Sequence, residues 1–251
     1  MDWTPVVISL KTACSATVIT FFLGLFAARG LLKLHRFHGL IDGIFTLPMV
    51  LPPTVVGFFL ILILGKNGVI GQVLSVLGSD ILFSWQATVL SAVLVSFPLM
   101  YRTSLGALEQ VDRSLIYAAR TLGMPERSIF WRVMVPIARP GIAAGAILAF
   151  ARALGEFGAT MMIAGNIPGR TQTLSTAIYT AVQSGDNGAA YRWAAVVMAI
   201  SFSAMLLLNF RWPQRRSKKS VPAQRRTEYD RGGFEKNTRG FYPEAPVSGG
   251  K

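Results

Sequence analysis

The chain has 251 residues, 52% of them hydrophobic and only 15% charged, with 25 Lys and Arg against 12 Asp and Glu. A soluble domain carries about a quarter charged residues, and a disordered chain is far less apolar, so both classes are excluded for most of the sequence. A single cysteine, Cys14, rules out an internal disulfide framework and any multi-cysteine metal site. The only histidines, His35 and His38, lie in a basic stretch and read as a solvated pair, so no metal site is expected.

A bilayer core about 30 Å thick needs roughly 20 apolar residues in a helix. Five stretches qualify: about residues 5–28, 39–64, 84–101, 140–163 and 190–210. The first lacks a basic start and a clear small-residue cleavage site, so it reads as a retained span. The segment from Thr173 to Gln183 is too short to cross and is expected as a short helix tucked into the outer face. The expected fold is an all-α integral membrane bundle of about five transmembrane helices.

Twenty of the Lys and Arg residues fall in loop 29–38, loop 102–139 or the tail from residue 211, and only Lys66 and Arg170 fall in the opposite loops. The positive-inside rule then places the N-terminus outside and the C-terminus inside. Basic residues so placed report topology and contact with anionic lipid, and no nucleic-acid partner is expected. Trp3, Trp85, Trp193 and Trp212 stand near span ends and read as interface anchors. Residues 1–212 form the expected membrane domain. Residues 213–251 are basic and poor in apolar residues, and are expected to be a disordered cytoplasmic tail.

In the second span, Pro48, Pro52 and Pro53 remove amide donors and should kink or break the helix near the membrane centre. Broken backbone survives in lipid only when buried in protein or lining a cavity. Pro48, Pro52, Pro53, Thr54 and Gly57 are thus pathway and gate candidates; a purely structural kink is the other reading.

Loop 102–139 is expected to form two helices. Ser114 is placed as a helix cap, Gly123 as a C-terminal stop, Pro125 as the first residue of the next helix, and Pro136 as its end. The product is either a docking knob or a pair of helices lying flat on the membrane. The fourth span carries a strip of small residues, Gly141, Gly145, Ala149 and Ala153, which reads as helix packing. It also carries Arg152 and Glu156, which share a helix face. An internal brace and a pathway role both stand for that pair.

The loop resembles the cytoplasmic signature of bacterial ABC importer permeases: Glu-Ala-Ala, three residues, Gly, nine residues, Ile, one residue, Leu-Pro. Here the residues are Tyr117-Ala118-Ala119-Arg120-Thr121-Leu122-Gly123 and then Val133-Met134-Val135-Pro136. Tyr117 stands where the family has glutamate, which weakens any role tied to that acidic position. The stretches Phe150–Thr160, Gly165–Thr173, Leu47–Gly57, Gly65–Gly71 and Phe83–Gln86 are similar to permeases of the molybdate and sulfate importer group. The wording Gly155-Glu156-Phe157-Gly158-Ala159 and Leu51-Pro52-Pro53 is closer to the molybdate members.

This resemblance, covering about residues 5–210, implies a type I ABC importer permease in the bacterial cytoplasmic (inner) membrane. It implies that Tyr117, Ala118, Ala119, Arg120, Gly123, Val133, Val135 and Pro136 form the element that docks on an ATPase dimer. It also implies a homodimer and an external molybdate-binding protein. The chain holds no phosphate-binding Gly-x-x-x-x-Gly-Lys-Ser/Thr loop, so a partner would use the ATP and Mg. No catalytic residue and no bound cofactor is expected here. A sulfate or tungstate permease is the alternative within the family. An ion-gradient transporter is the alternative outside it, against which stands the lack of an evident inverted repeat.

Overall fold

The computed structural model describes residues 2–34, 36–76 and 81–211. His35, Trp212 and the tail 213–251 lie outside the described residues, so the expectations placed on them stay with the sequence. Among the described residues the secondary structure is helical: α1 (Thr4–Lys33), α2 (His38–Val50), α3 (Pro53–Leu64), α4 (Val69–Val76), α5 (Trp85–Glu109), α6 (Arg113–Thr121), α7 (Glu126–Ile129), α8 (Val135–Leu154), α9 (Gly158–Ile163), α10 (Leu174–Gln183) and α11 (Asn187–Arg211). A widened π turn, Phe130–Met134, joins α7 to α8.

Four of these stretches are long and apolar enough to cross a membrane: α1, α5, the run Glu126–Leu154 and the part of α11 over Asn187–Leu206. A fifth span results if α2 and α3, bent by 110° at their junction, are counted as one.

The scaffold is α1 against α5 against α8. The α1 helix turns a small-residue face inward, with Ala13, Ala16 and Ala28 fully buried and Thr20 among them. That face permits close approach: a Cβ on Gly24 would meet the Met100 side chain at 2.8 Å and the Tyr101 backbone nitrogen at 3.0 Å. Against α5 and α1 the small strip of α8 fits the same way. A Cβ on Gly145 would meet Thr103 at 3.0 Å, and Ala149 is fully buried. Without a hydrophobic force between helices in lipid, such close backbone packing is what holds a bundle together.

Inside the scaffold runs a chain of buried hydroxyls. Thr12 and Thr88 are hydrogen-bonded across α1 and α5 at 3.0 Å, and Ser91 meets Thr160 at 2.7 Å. The Leu174 amide donates to Ser9 at 2.7 Å, fastening the start of α10 to α1. Thr173 caps α10 and exchanges bonds with Thr176. The short segment expected at 173–183 is therefore a helix held by internal polar contacts.

Two of the expected tryptophan anchors have inward roles. Trp193 is 8% exposed, with the ring of Trp3 edge-on at 6.3 Å. Trp85 donates its indole N–H to Thr12 at 3.0 Å and carries the Lys11 ammonium 4.2 Å over its ring. That contact explains how a lysine sits within an apolar helix.

Several boundaries differ from the sequence expectation. Pro48 lies inside α2 without ending it. The break falls at Leu51 and Pro52, both extended, with ψ of 142° and 136°. Each of them precedes a proline, and the Cδ of a following proline pushes a residue out of helical backbone.

The span expected to begin at residue 140 begins instead at Glu126 and runs 29 residues to Leu154. Pro136 does not stop it. The Val135 amide bonds to the Phe130 carbonyl five residues back, so the turn before Pro136 is widened rather than ended. The same span was expected to reach residue 163, but it breaks after Leu154 and resumes as α9.

Candidate functional site

The candidate residues gather in two places. The first is an elbow built from α6, a turn and α7. Asp112, not Ser114, caps α6, its carboxylate accepting from the Ser114 amide at 2.8 Å. That hydrogen bond holds the Asp112 carboxyl below its ordinary pKa. The helix ends in a double-bonded turn: Gly123 N–H donates to the Arg120 carbonyl at 2.9 Å and Met124 N–H to the Ala119 carbonyl at 3.1 Å. Gly123 has φ +74°, a left-handed backbone that side-chain-bearing residues rarely adopt.

Pro125 then takes the capping position of α7, one residue before the place expected from the sequence. Arg120 spans the turn, with its Nε 2.7 Å from a Glu126 oxygen, and the pair raises the Arg120 pKa. Ala119 is buried and Ala118 exposed. Tyr117, Leu122 and Trp131 present exposed apolar surface, Leu122 to 82%. Val133, Val135 and Pro136 do not belong to the elbow surface. They lie half-buried in the π turn and the start of α8, the rigid continuation of the elbow into the bundle.

The second place is a seam where two broken spans restart side by side. At one wall α3 begins at Pro53; at the other α9 begins at Gly158. A Cβ on Gly158 would meet the Pro53 side chain at 3.0 Å and the Thr54 nitrogen at 3.2 Å. A Cβ on Gly57 would meet Met162 at 2.7 Å and the Ala159 Cα at 2.9 Å. Gly57 is thus required by backbone contact and Gly158 favoured by a tight one, and Val56, Leu60, Ala159 and Ile163 close the seam. Pro52, Pro53, Thr54 and Gly57 belong to it, whereas Pro48 sits apart in α2.

Glu156 lies in the break between α8 and α9, 3% exposed. One carboxylate oxygen accepts from the Ala159 amide at 2.9 Å, capping α9. The other lies 2.8 Å from Arg152, an ion pair without hydrogen-bond alignment. Arg152 keeps 35% of its side chain exposed. The pair joins the end of the long α8 span to the start of the seam.

One residue escaped the sequence reading. Asp42 of α2 accepts the Tyr101 hydroxyl at 2.8 Å and pairs with Arg102 at 3.2 Å. Phe45 stacks edge-on to Phe97 and Tyr101 beside it. Since α2 has no fully buried residue, this cluster is its main hold on α5. An acidic residue inside the apolar run 39–64 was the available signal.

Residues 20–219 match the model of the binding-protein-dependent transport system inner membrane component family. The chain is a member of that family. It is 42% identical over 209 residues to the putative molybdenum transport system permease protein YvgM of Bacillus subtilis, covering 82% of this chain and 92% of that one. It is also 42% identical over 222 residues to the molybdenum transport system permease protein ModB of Escherichia coli, covering 86% and 95%.

Among solved structures it resembles the inward-facing MetNI methionine ABC transporter at TM-score 0.65 and 16% identity, over 82% of this chain and 91% of that one. An amino acid ABC transporter aligns at TM-score 0.58 and 19% identity, over 81% and 89%. The fold is therefore that of an ABC importer permease, carried as a multi-pass helical protein of the inner membrane.

Proposed function

We propose that this chain is the membrane-spanning permease of an ATP-driven importer that moves molybdate inward. The observation that carries the reading is the 42% identity, over nearly the whole of two relatives, to permeases named for molybdenum transport. The geometry supplies a means. The elbow at Gly123 presents Ala118 and Leu122 outward as a docking surface for an ATPase dimer. Force applied there passes through the continuous helix Glu126–Leu154 to the Arg152–Glu156 joint. From that joint it reaches α9 and, through the glycine seam, α3. The seam is the gate candidate, because broken backbone within a membrane is tolerated where it is buried or lines a cavity.

In this reading ATP and Mg are consumed by the partner, and the chain itself performs no hydrolysis. Two copies enclose the pathway. A periplasmic or extracellular binding protein delivers the anion to the face opposite the elbow. The N-terminus lies outside and the C-terminus inside, in keeping with the basic residues at the elbow end.

The test is labelled molybdate uptake into vesicles holding the chain, its ATPase and its binding protein, with and without ATP and with excess sulfate. ATP-dependent uptake that resists sulfate is expected. Uptake abolished by sulfate transfers the substrate to that anion. Uptake driven by an ion gradient and indifferent to ATP overturns the reading.

A further inference from the structure

The elbow helix α6 has two faces. Leu115, Ala118 and Leu122 share one at helical spacing and are exposed. Arg113, Ile116, Tyr117 and Arg120 share the opposite one and wall a cavity of about 660 Å³. The remaining walls come from the end of α1, His38 at the start of α2, the end of α5, Glu126 of α7 and the π turn. The cavity is thus behind the elbow, away from its outward face.

Its lining is basic over an apolar floor. Arg29, Lys33, Arg113 and Arg120 face it, against Glu109 and Glu126. Arg120 is matched by Glu126 at 2.7 Å. Arg29 rests 4.4 Å over the ring of Phe130, which holds the guanidinium without neutralising it. Neither Arg29 nor Arg113 has a carboxylate partner among the described residues. Beneath them lie the buried side chains of Leu108 and Phe130.

The depth of the cavity follows from the length of α1. Thirty residues span about 45 Å at the helical rise, which exceeds a hydrocarbon core of about 30 Å. Part of α1 therefore lies outside the hydrocarbon, and its basic end, with Arg29 and Lys33, is the end suited to the level of lipid headgroups. Cationic side chains on an apolar floor, between helices and at that level, match an anionic phospholipid: phosphate to the guanidinium groups, acyl chains over the apolar wall.

We propose that this cavity binds the phosphate of an anionic phospholipid, which bridges Arg29 of α1 to Arg113 of α6. The lipid holds the elbow helix to the membrane surface from behind while its outward face stays free. A free oxyanion offers the same charge but has no use for the apolar floor.

The test uses the full chain in complex with its ATPase, stripped of lipid in neutral detergent. Phosphatidylglycerol and phosphatidylcholine are titrated and retained lipid is counted by native mass spectrometry. Phosphatidylglycerol is retained and phosphatidylcholine is not. The double variant R29Q/R113Q weakens retention by roughly thirtyfold, and R113Q alone by roughly fivefold, from about 1 kcal/mol for each basic residue. Arg113 is exposed, so R113Q keeps the test valid if the double variant fails to assemble. The control R127Q/R139Q changes two exposed arginines outside the cavity and leaves retention unaltered. Equal retention of the two lipids, or equal retention by R113Q and the parent chain, overturns the proposal. So does displacement of phosphatidylglycerol by excess inorganic phosphate, which would assign the site to a free anion.

Discussion

The α5 helix and the α2–α3 pair are similar in apolar content and opposite in construction. The first runs unbroken for 25 residues, with 61% of its apolar window buried, and it carries Pro98 without ending. The second turns through 110° and its α2 arm has no fully buried residue. One proline within a helix packed on two sides is absorbed. Two consecutive prolines are not, because each forces the residue before it out of helical backbone. The bundle thus has a stiff centre, α1 with α5 and α8, and a jointed margin, α2–α3 and α9. Motion is expected at the margin, where the helices are broken and the α2 arm has no fully buried residue.

The largest expected effect tests that division at two glycines. Gly57→Leu drives a branched side chain into the Ala159 backbone, which has no side-chain freedom to yield. Overpacking of this kind costs about 1–3 kcal/mol or more. Uptake should vanish while the chain still inserts and binds its ATPase. Gly24→Ala meets the movable Met100 side chain at 2.8 Å and presses on the Tyr101 backbone nitrogen at 3.0 Å in the stiff centre; it should lower thermal stability with uptake per folded complex kept. Equal loss of uptake in both would end the distinction between centre and margin.

The joint between the two regions comes next. Removing Arg152 leaves the buried Glu156 carboxylate without its counter-charge, so Arg152→Gln should impair uptake strongly. The Arg152→Gln, Glu156→Gln double variant should be less impaired than Arg152→Gln alone, since no unpaired carboxylate is left buried. A double variant worse than either single one assigns the pair to the pathway rather than to a brace.

The elbow is tested by Gly123→Val. No atom lies within 4 Å of a Cβ at that position, so the penalty is purely one of backbone. The left-handed conformation costs an ordinary residue about 1–2 kcal/mol, and a β-branched one more. ATP hydrolysis should continue while uptake falls severalfold, and Gly123→Asn should restore most of it. Loss of hydrolysis and uptake together, unrescued by asparagine, would mean a folding defect instead of uncoupling.

A smaller effect is expected from Asp42→Asn. It removes one ion pair to the half-exposed Arg102 but retains an acceptor for Tyr101, a change of about 1 kcal/mol. Cysteine cross-linking between α2 and α5 should fall modestly with uptake reduced less than twofold. The smallest effect is expected beyond the family match, which ends at residue 219. Removing residues 220–251 should leave uptake and assembly intact, and a complete loss would give the tail a role of its own.

Much of this was legible in the sequence, and the parts that were not have a common cause. The apolar runs announced the spans, because the bilayer demands length and little else. Gly123 announced the turn, because its backbone conformation is a local property. The Pro52-Pro53 break was legible for the same reason.

The sequence misplaced Pro136 and Pro140 as boundaries, since both continue within a helix that α5 packs against and a π turn relieves. It gave no sign that the span through Arg152 would end at Leu154. Gly155 and Glu156 break it because the carboxylate is taken by the α9 amide and by Arg152 at once, and both partners must be in position for that. Asp42 was passed over because its value depends on Tyr101 and Arg102, almost sixty residues away in the chain.

By itself, then, the sequence determined the solvent the chain lives in, the presence of several membrane-crossing stretches, the position of the elbow and the family to which its motifs point. Those follow from hydropathy, charge and single-residue backbone preference, which act locally. The tertiary structure alone decided that two broken spans restart against each other through Gly57 and Gly158. It also decided that the elbow continues without a break into the span ending at the Arg152–Glu156 joint. Contacts between distant segments set these features, and no periodicity within one segment encodes where its neighbour will lie.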